Sequence, residues 1–220
     1  MTDSNHMVVK KDSKGEALLI MDMISDFKFE DGEKLFEPAL AAAAKIAQLK
    51  KRARQAGASV IYVNDNYGRW NEDFGTFVDR TMNSSHMGRE IVEKLEPEHD
   101  DLFIIKPQRS GFYATPLGVL LLSKNISRVT ITGVTTDICV LFTAHDAYMR
   151  GFNVQVPSDG TAAVETEHHT YALEFMKRVA DANVKPCESI EFGSNGNHRN
   201  GSPNRSMDTF STSKLIFSGA

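Results

Sequence analysis

The sequence predicts an α/β fold: a three-layer α/β/α sandwich on a mainly parallel, doubly wound sheet of about six strands. Three observations predict it. The strand candidates are short and apolar along nearly their whole length, as strands buried on both faces are. They alternate with helical patterns, as right-handed β-α-β crossovers require. Polar residues able to do chemistry recur at the C-terminal ends of those runs, where ligands bind in such sheets.

Taken in order, Ala17-Leu18-Leu19-Ile20-Met21 reads as the first strand and ends in Asp22. An alanine-rich helical pattern runs from about Glu33 to Gln55 and stops at Gly57. Ser59-Val60-Ile61-Tyr62-Val63 is the second strand, ending in Asn64-Asp65. Residues 67–85 hold glycines, aromatics and charges without clear periodicity, which predicts a long loop with a short helical piece. Arg89 to Leu95 reads as a helix and Leu102-Phe103-Ile104-Ile105 as a strand ending in Lys106-Pro107. Pro116 to Lys124 is a helix with proline early in its first turn. Val129 to Thr132 is a strand, and Ile138 to Arg150 a helix stopped by Gly151. Asn153 to Val156 is a strand, Thr166 to Ala182 a helix, and Val184 to Ile190 the expected last strand.

The 220 residues fit one domain with a real core, and 41% hydrophobic with 25% charged residues is ordinary globular composition. Residues 1–15 form a polar segment without the apolar core of a secretory signal, 16–193 the folded domain, and 194–220 a low-complexity tail. That tail is dominated by Ser, Asn, Gly and Arg and reads as flexible. A net charge of −4 points to neither a nucleic-acid nor an anionic-membrane partner. No apolar run approaches the roughly 20 residues that cross a bilayer. Two cysteines are too few for a disulfide framework, so a reducing cytoplasm is the expected location.

Gly133-Val134-Thr135-Thr136-Asp137-Ile138-Cys139-Val140 follows one apolar run and opens a helix. Cys139 therefore stands where a buried strand becomes a helix. Unpaired N–H groups there favour a thiolate, depress a cysteine pKa and hold an oxyanion. The competing reading is a small buried hydrophobe. Asp22, Asp65, Lys106 and Cys139 all fall at strand ends, so a parallel sheet gathers them along one edge. There a carboxylate can take and return the thiol's proton, and a lysine can lower both pKa values by proximity.

These segments resemble the isochorismatase-like cysteine hydrolases, a group that includes nicotinamidases, N-carbamoylsarcosine amidases and isochorismatases. Leu19 to Phe27 resembles the family's first strand and loop, with Ile24 where glutamine is usual. Lys106-Pro107 with Phe112 to Leu117 resembles its lysine segment, Gly133 to Val140 its nucleophile segment, and Val156 to Gly160 the strand-end aspartate that follows. The resemblance covers about residues 16–190. It implies a triad of Asp22 as base, Lys106 as electrostatic partner and Cys139 as nucleophile. It also implies a cis peptide between Val134 and Thr135, and an oxyanion hole from the Thr135 and Cys139 N–H groups.

Nicotinamidases carry Asp-x-His and a further histidine as metal ligands. The matching positions here are Asp65-Asn66-Tyr67, so tyrosine replaces the first histidine. His86 could supply the second, but a carboxylate and one histidine are too few for a zinc site, and the expectation is no metal and no other cofactor. Asp65 is then structural or substrate-orienting.

Phe27, Tyr67, Trp70 and Phe112 are expected to wall a substrate pocket. Packing of the loop is the alternative, and Phe74 belongs to the same group. Arg69 or Arg109 could hold a substrate carboxylate. His145 reads as structural, His168 and His169 as surface, and Cys187 as structural. The leading expectation is a cysteine hydrolase acting on a small amide, N-carbamoyl compound or lactam. The alternatives are an isochorismatase-type vinyl-ether hydrolase and a non-catalytic binding module on the same fold. The expected partners are a small-molecule substrate and further copies of the chain, because the family forms dimers or tetramers.

Overall fold

The computed structural model describes residues 9, 14–65, 67–69, 71–83 and 86–193. The expectations for Trp70, for the N-terminal segment up to residue 8 and for the tail lie outside them. The described chain runs β1 (Gly15–Met21), α1 (Gly32–Gln55), β2 (Ser59–Asp65), α2 (Phe74–Met82), α3 (Gly88–Lys94), β3 (Leu102–Lys106) and α4 (Leu117–Ser123). It continues through β4 (Ile126–Val134), a single π-helical turn (Thr136–Val140), α5 (Leu141–Met149), β5 (Asn153–Gln155), β6 (Thr161–Ala162) and α6 (Thr166–Val179).

All strand pairs are parallel, in the order β3-β2-β1-β4-β5, with β6 on the upper end of β4. The central strands are apolar because helices cover both faces. On one face, Leu18, Ile20, Tyr62 and Val60 pack with Leu35, Ile46 and Leu49 of α1. On the other, Leu19, Met21, Ile61 and Ile131 pack with Leu117, Leu121, Ala144 and Met176 of α4, α5 and α6. The two residue sets alternate along each strand, as period-two side chains must.

The last strand differs from expectation. Val184 to Ile190 does not extend the sheet. Only Asn183 bridges to Gln155, and Cys187–Ser189 is a 3₁₀ turn. Arg52 of α1 donates to the carbonyls of Cys187 (2.5 Å) and Ile190 (2.9 Å), so a side chain takes carbonyls a strand partner would otherwise use. The sixth strand is instead the two-residue β6, hydrogen-bonded beside the nucleophile segment.

Gly133 joins β4 to that segment with φ 101°, and a Cβ there would sit 2.1 Å from the Met21 carbonyl oxygen. Glycine is required because β1 and β4 converge at the point where the chain leaves the sheet.

Candidate active site

Three strand ends build the site. Asp22 follows β1 in the left-handed backbone region (φ 52°), which aspartate tolerates better than most residues. Its N–H donates to Val63 O (3.0 Å), and its Oδ1 accepts the Asp65 N–H (2.7 Å). Lys106 ends β3, two strands away from β1 and so roughly 10 Å off. Its four-carbon stem reaches toward β1 and meets the Asp22 side chain, and the residue is only 1% exposed. Its Nζ lies 3.0 Å from Asp22 Oδ2, 3.6 Å from Asp65 Oδ2 and 3.5 Å from Cys139 Sγ. Cys139 sits in the π-helical turn after β4, on the opposite side of β1, and lies beside Asp22. The Val134–Thr135 peptide is cis.

The electrostatics depart from the expected depressed pKa values. Burial, above all, pushes the Asp22 carboxyl up; Lys106, Cys139 and the Asp65 N–H pull it back incompletely. Burial, followed by the Asp22 charge, pushes the Cys139 thiol up to about 12, against the pull of Lys106. Burial opposes the charge on Lys106, but Asp22, Cys139 and Asp65 together prevail and hold its pKa above the ordinary value. The resting site is therefore a neutral thiol beside a carboxyl group and a firmly protonated lysine. A turn at a helix start does not by itself make a thiolate; enclosure decides.

Asn64, Asp65 and Tyr67 frame the site. Asn64 is fully buried, and its side chain pairs with both backbone groups of Ile24, fixing the loop after Asp22. Asp65 Oδ1 accepts the N–H of Tyr67 (2.7 Å), which turns Tyr67 (φ 48°) back toward the site. Tyr67 is 39% exposed overall, but its hydroxyl is enclosed, close to Ser25, Asp22, Asp65 and Cys139. That enclosure holds the phenol well above its ordinary pKa, so it stays protonated.

The remaining candidates divide. Phe27 is buried against Phe29 and Phe36, next to the loop that Asn64 holds. The Phe112 ring lies in the core 6.0 Å from the Phe152 ring, with the Arg150 guanidinium over it. Arg109 lies over Phe142. His145 hydrogen-bonds the Leu141 carbonyl group within α5 (2.9 Å). Cys187 is buried, its N–H donating to Asp159.

Among the described residues no three His, Cys, Asp or Glu side chains are grouped to hold a metal ion. Asp65 already serves the Tyr67 N–H and faces the Lys106 ammonium, so this donor set does not fit a zinc-like ion. Surface hollows beside Arg52 and beside Lys50 lie away from the triad. Their cations are committed to backbone carbonyls and to the Glu98–Asp101 ion pairs.

Two residues escaped the sequence reading. Asn64 had a faint signal, a polar amide ending an apolar strand. His169, read as surface, is half-buried against the nucleophile turn, bonded to Thr136, 33 positions earlier in the chain, and no local pattern reports such a pairing.

Comparison with known proteins gives the family and the fold. The family model described as the isochorismatase domain matches residues 16–187. An uncharacterized isochorismatase family protein of Bacillus subtilis, YaaI, is 39% identical over 175 residues, 80% of this chain and 96% of its own. The N-carbamoylsarcosine amidase of Thermoplasma acidophilum superposes with a TM-score of 0.61 at 26% identity, covering 81% of this chain and 99% of that one. The nicotinamidase SaPncA of Staphylococcus aureus gives 0.61 at 27% identity, with 78% and 98% covered. Among the described residues no helix is long and apolar enough to cross a membrane.

Proposed function

The chain belongs to the isochorismatase family of hydrolases, and we propose that it is a cysteine hydrolase of small amide, N-carbamoyl or lactam substrates. One observation carries the reading: a single buried ammonium group contacts both Asp22 (3.0 Å) and Cys139 (3.5 Å), which brings the carboxylate and the thiol to one point. This is the minimum set for attack by a thiol whose proton must leave as the new bond forms.

In the proposed sequence the Asp22 carboxylate takes the Cys139 proton while Sγ attacks the substrate carbonyl carbon. The tetrahedral oxygen rests on the Thr135 and Cys139 N–H groups. Asp22 returns its proton to the departing nitrogen, the C–N bond breaks and a thioester remains. Water, deprotonated by Asp22, then releases the acid and restores the thiol. Lys106 keeps the developing negative charge close to a fixed positive one throughout. Tyr67 supplies a neutral hydroxyl donor to the substrate, and Phe27 backs the apolar side of the pocket. No step calls on a metal.

The test is release of ammonia or amine from a panel of amides, ureido acids and lactams, with wild type beside Cys139→Ala. Turnover by wild type alone supports the reading. Equal turnover by Cys139→Ala removes Cys139 from the mechanism.

A further inference from the structure

α6 packs across the turn that carries Cys139, and a short side-chain hydrogen bond joins them. His169 Nδ1 lies 2.8 Å from the Thr136 hydroxyl, and Thr136 is fully buried at the first position of the turn. The Ser158 backbone, in the segment after β5, lies beside the same imidazole. In the tautomer with its proton on Nε2, Nδ1 accepts the Thr136 O–H. The ring thus joins α6 to the nucleophile turn at the sheet edge.

The neighbouring side chains do not duplicate this tie. Thr135 Oγ1 and Asp137 Oδ1 are buried with no hydrogen-bond partner among the described residues. Asp137 Oδ2 lies 3.7 Å from His168 Nδ1. Asp137 is also the charged group acting on His169 from the turn. From the β5–β6 segment, Asp159 is committed to the Cys187 N–H and to Lys45.

We propose that His169 is a positioning residue: by accepting the Thr136 hydroxyl proton it holds the nucleophile turn closed, with Cys139 Sγ against Lys106 and Asp22. The proposal rests on Cys139 being the nucleophile, but its test does not depend on hydrolysis. Enclosure is the main reason the thiol is hard to ionise, so loosening the turn exposes Sγ and makes it easier to alkylate.

The experiment measures the rate of Cys139 carbamidomethylation by iodoacetamide from pH 7 to 10. Modification is located by mass spectrometry, Cys139→Ala serves as the blank, and each variant's melting temperature is recorded. The S–C bond forms as C–I breaks, iodide leaves and the thiol proton goes to solvent or Asp22. His169→Leu and Thr136→Val are each expected to raise the rate about threefold or more at pH 8, the effect of half a pKa unit. The double variant should be no faster than either single. His169→Asn, whose side-chain oxygen can replace Nδ1 as acceptor, should stay near wild type. A His169→Leu rate at or below wild type, or factors that multiply in the double variant, would overturn the clamp. Full hydrolysis by Cys139→Ala would instead overturn the nucleophile assignment and leave the clamp result standing.

Discussion

Asn64 holds Ile24 from both sides. Its Nδ2 donates to the Ile24 carbonyl group (2.9 Å) and its Oδ1 accepts the Ile24 N–H (3.1 Å), all out of water. The loop after Asp22 is thereby fixed by a side chain of the neighbouring strand. Asn64→Ala strands two buried backbone groups, each worth about 1–3 kcal/mol. Urea unfolding should show a loss of about 2–4 kcal/mol. A loss below about 0.5 kcal/mol would mean that the loop is held by other contacts.

Asp22→Asn should separate thiol reactivity from turnover. Asp22 is the chief charge opposing Cys139 ionisation, and without it Lys106 acts on the thiol unopposed. Alkylation of Cys139 near pH 8 should therefore become faster. Hydrolysis should nevertheless fall by about 10²- to 10⁴-fold, because no group is left to shuttle the proton. Alkylation and hydrolysis that fall together would contradict the assigned electrostatics.

Tyr67→Phe removes a hydroxyl whose pKa burial holds above the ordinary phenol value. The expected result is a two- to tenfold rise in KM, about 0.5–1.5 kcal/mol, with little change in melting temperature. Absorbance at 295 nm should show no titration of this phenol below pH 11. An unchanged KM on every substrate found would take Tyr67 out of substrate binding.

His169 gives a pH signature in stability. Burial, its main influence, lowers its pKa below the ordinary 6.5, so the folded state binds fewer protons than the unfolded state just below that value. Its contribution is thus complete above pH 6.5 and is lost as pH falls through the folded pKa. The stability difference between wild type and His169→Leu should shrink from pH 7 to pH 5 in urea titrations. A difference that is flat or grows over that range would show that the ring is not held neutral.

Gly133→Ala places a methyl carbon 2.1 Å from a backbone oxygen of β1, and the φ of 101° is itself strained for any L side chain. Neither strand can yield without breaking the central ladder. The variant should express largely insoluble or melt at least about 10 °C lower, as several kcal/mol imply for a domain of this size. Wild-type melting would show that β1 and β4 can separate there.

The order of strands and helices, and the gathering of Asp22, Lys106 and Cys139 on one edge, were legible in the sequence. Period and run length are local properties, and a parallel sheet puts every strand end on the same side. The two-residue β6 was not legible, because so short a strand has no pattern of its own. The segment from Val184 to Ile190 has strand-like residues, but Arg52 of α1 claims its carbonyls. Phe112 carries the same ring wherever it points, and only the tertiary structure places it beside Phe152 and Arg150. Proton placement was the least legible feature. Residue types and their order determine which groups can ionise, but enclosure and pair distances decide which do. Those come from contacts such as Lys106 with Asp22 and His169 with Thr136, between residues far apart in the chain.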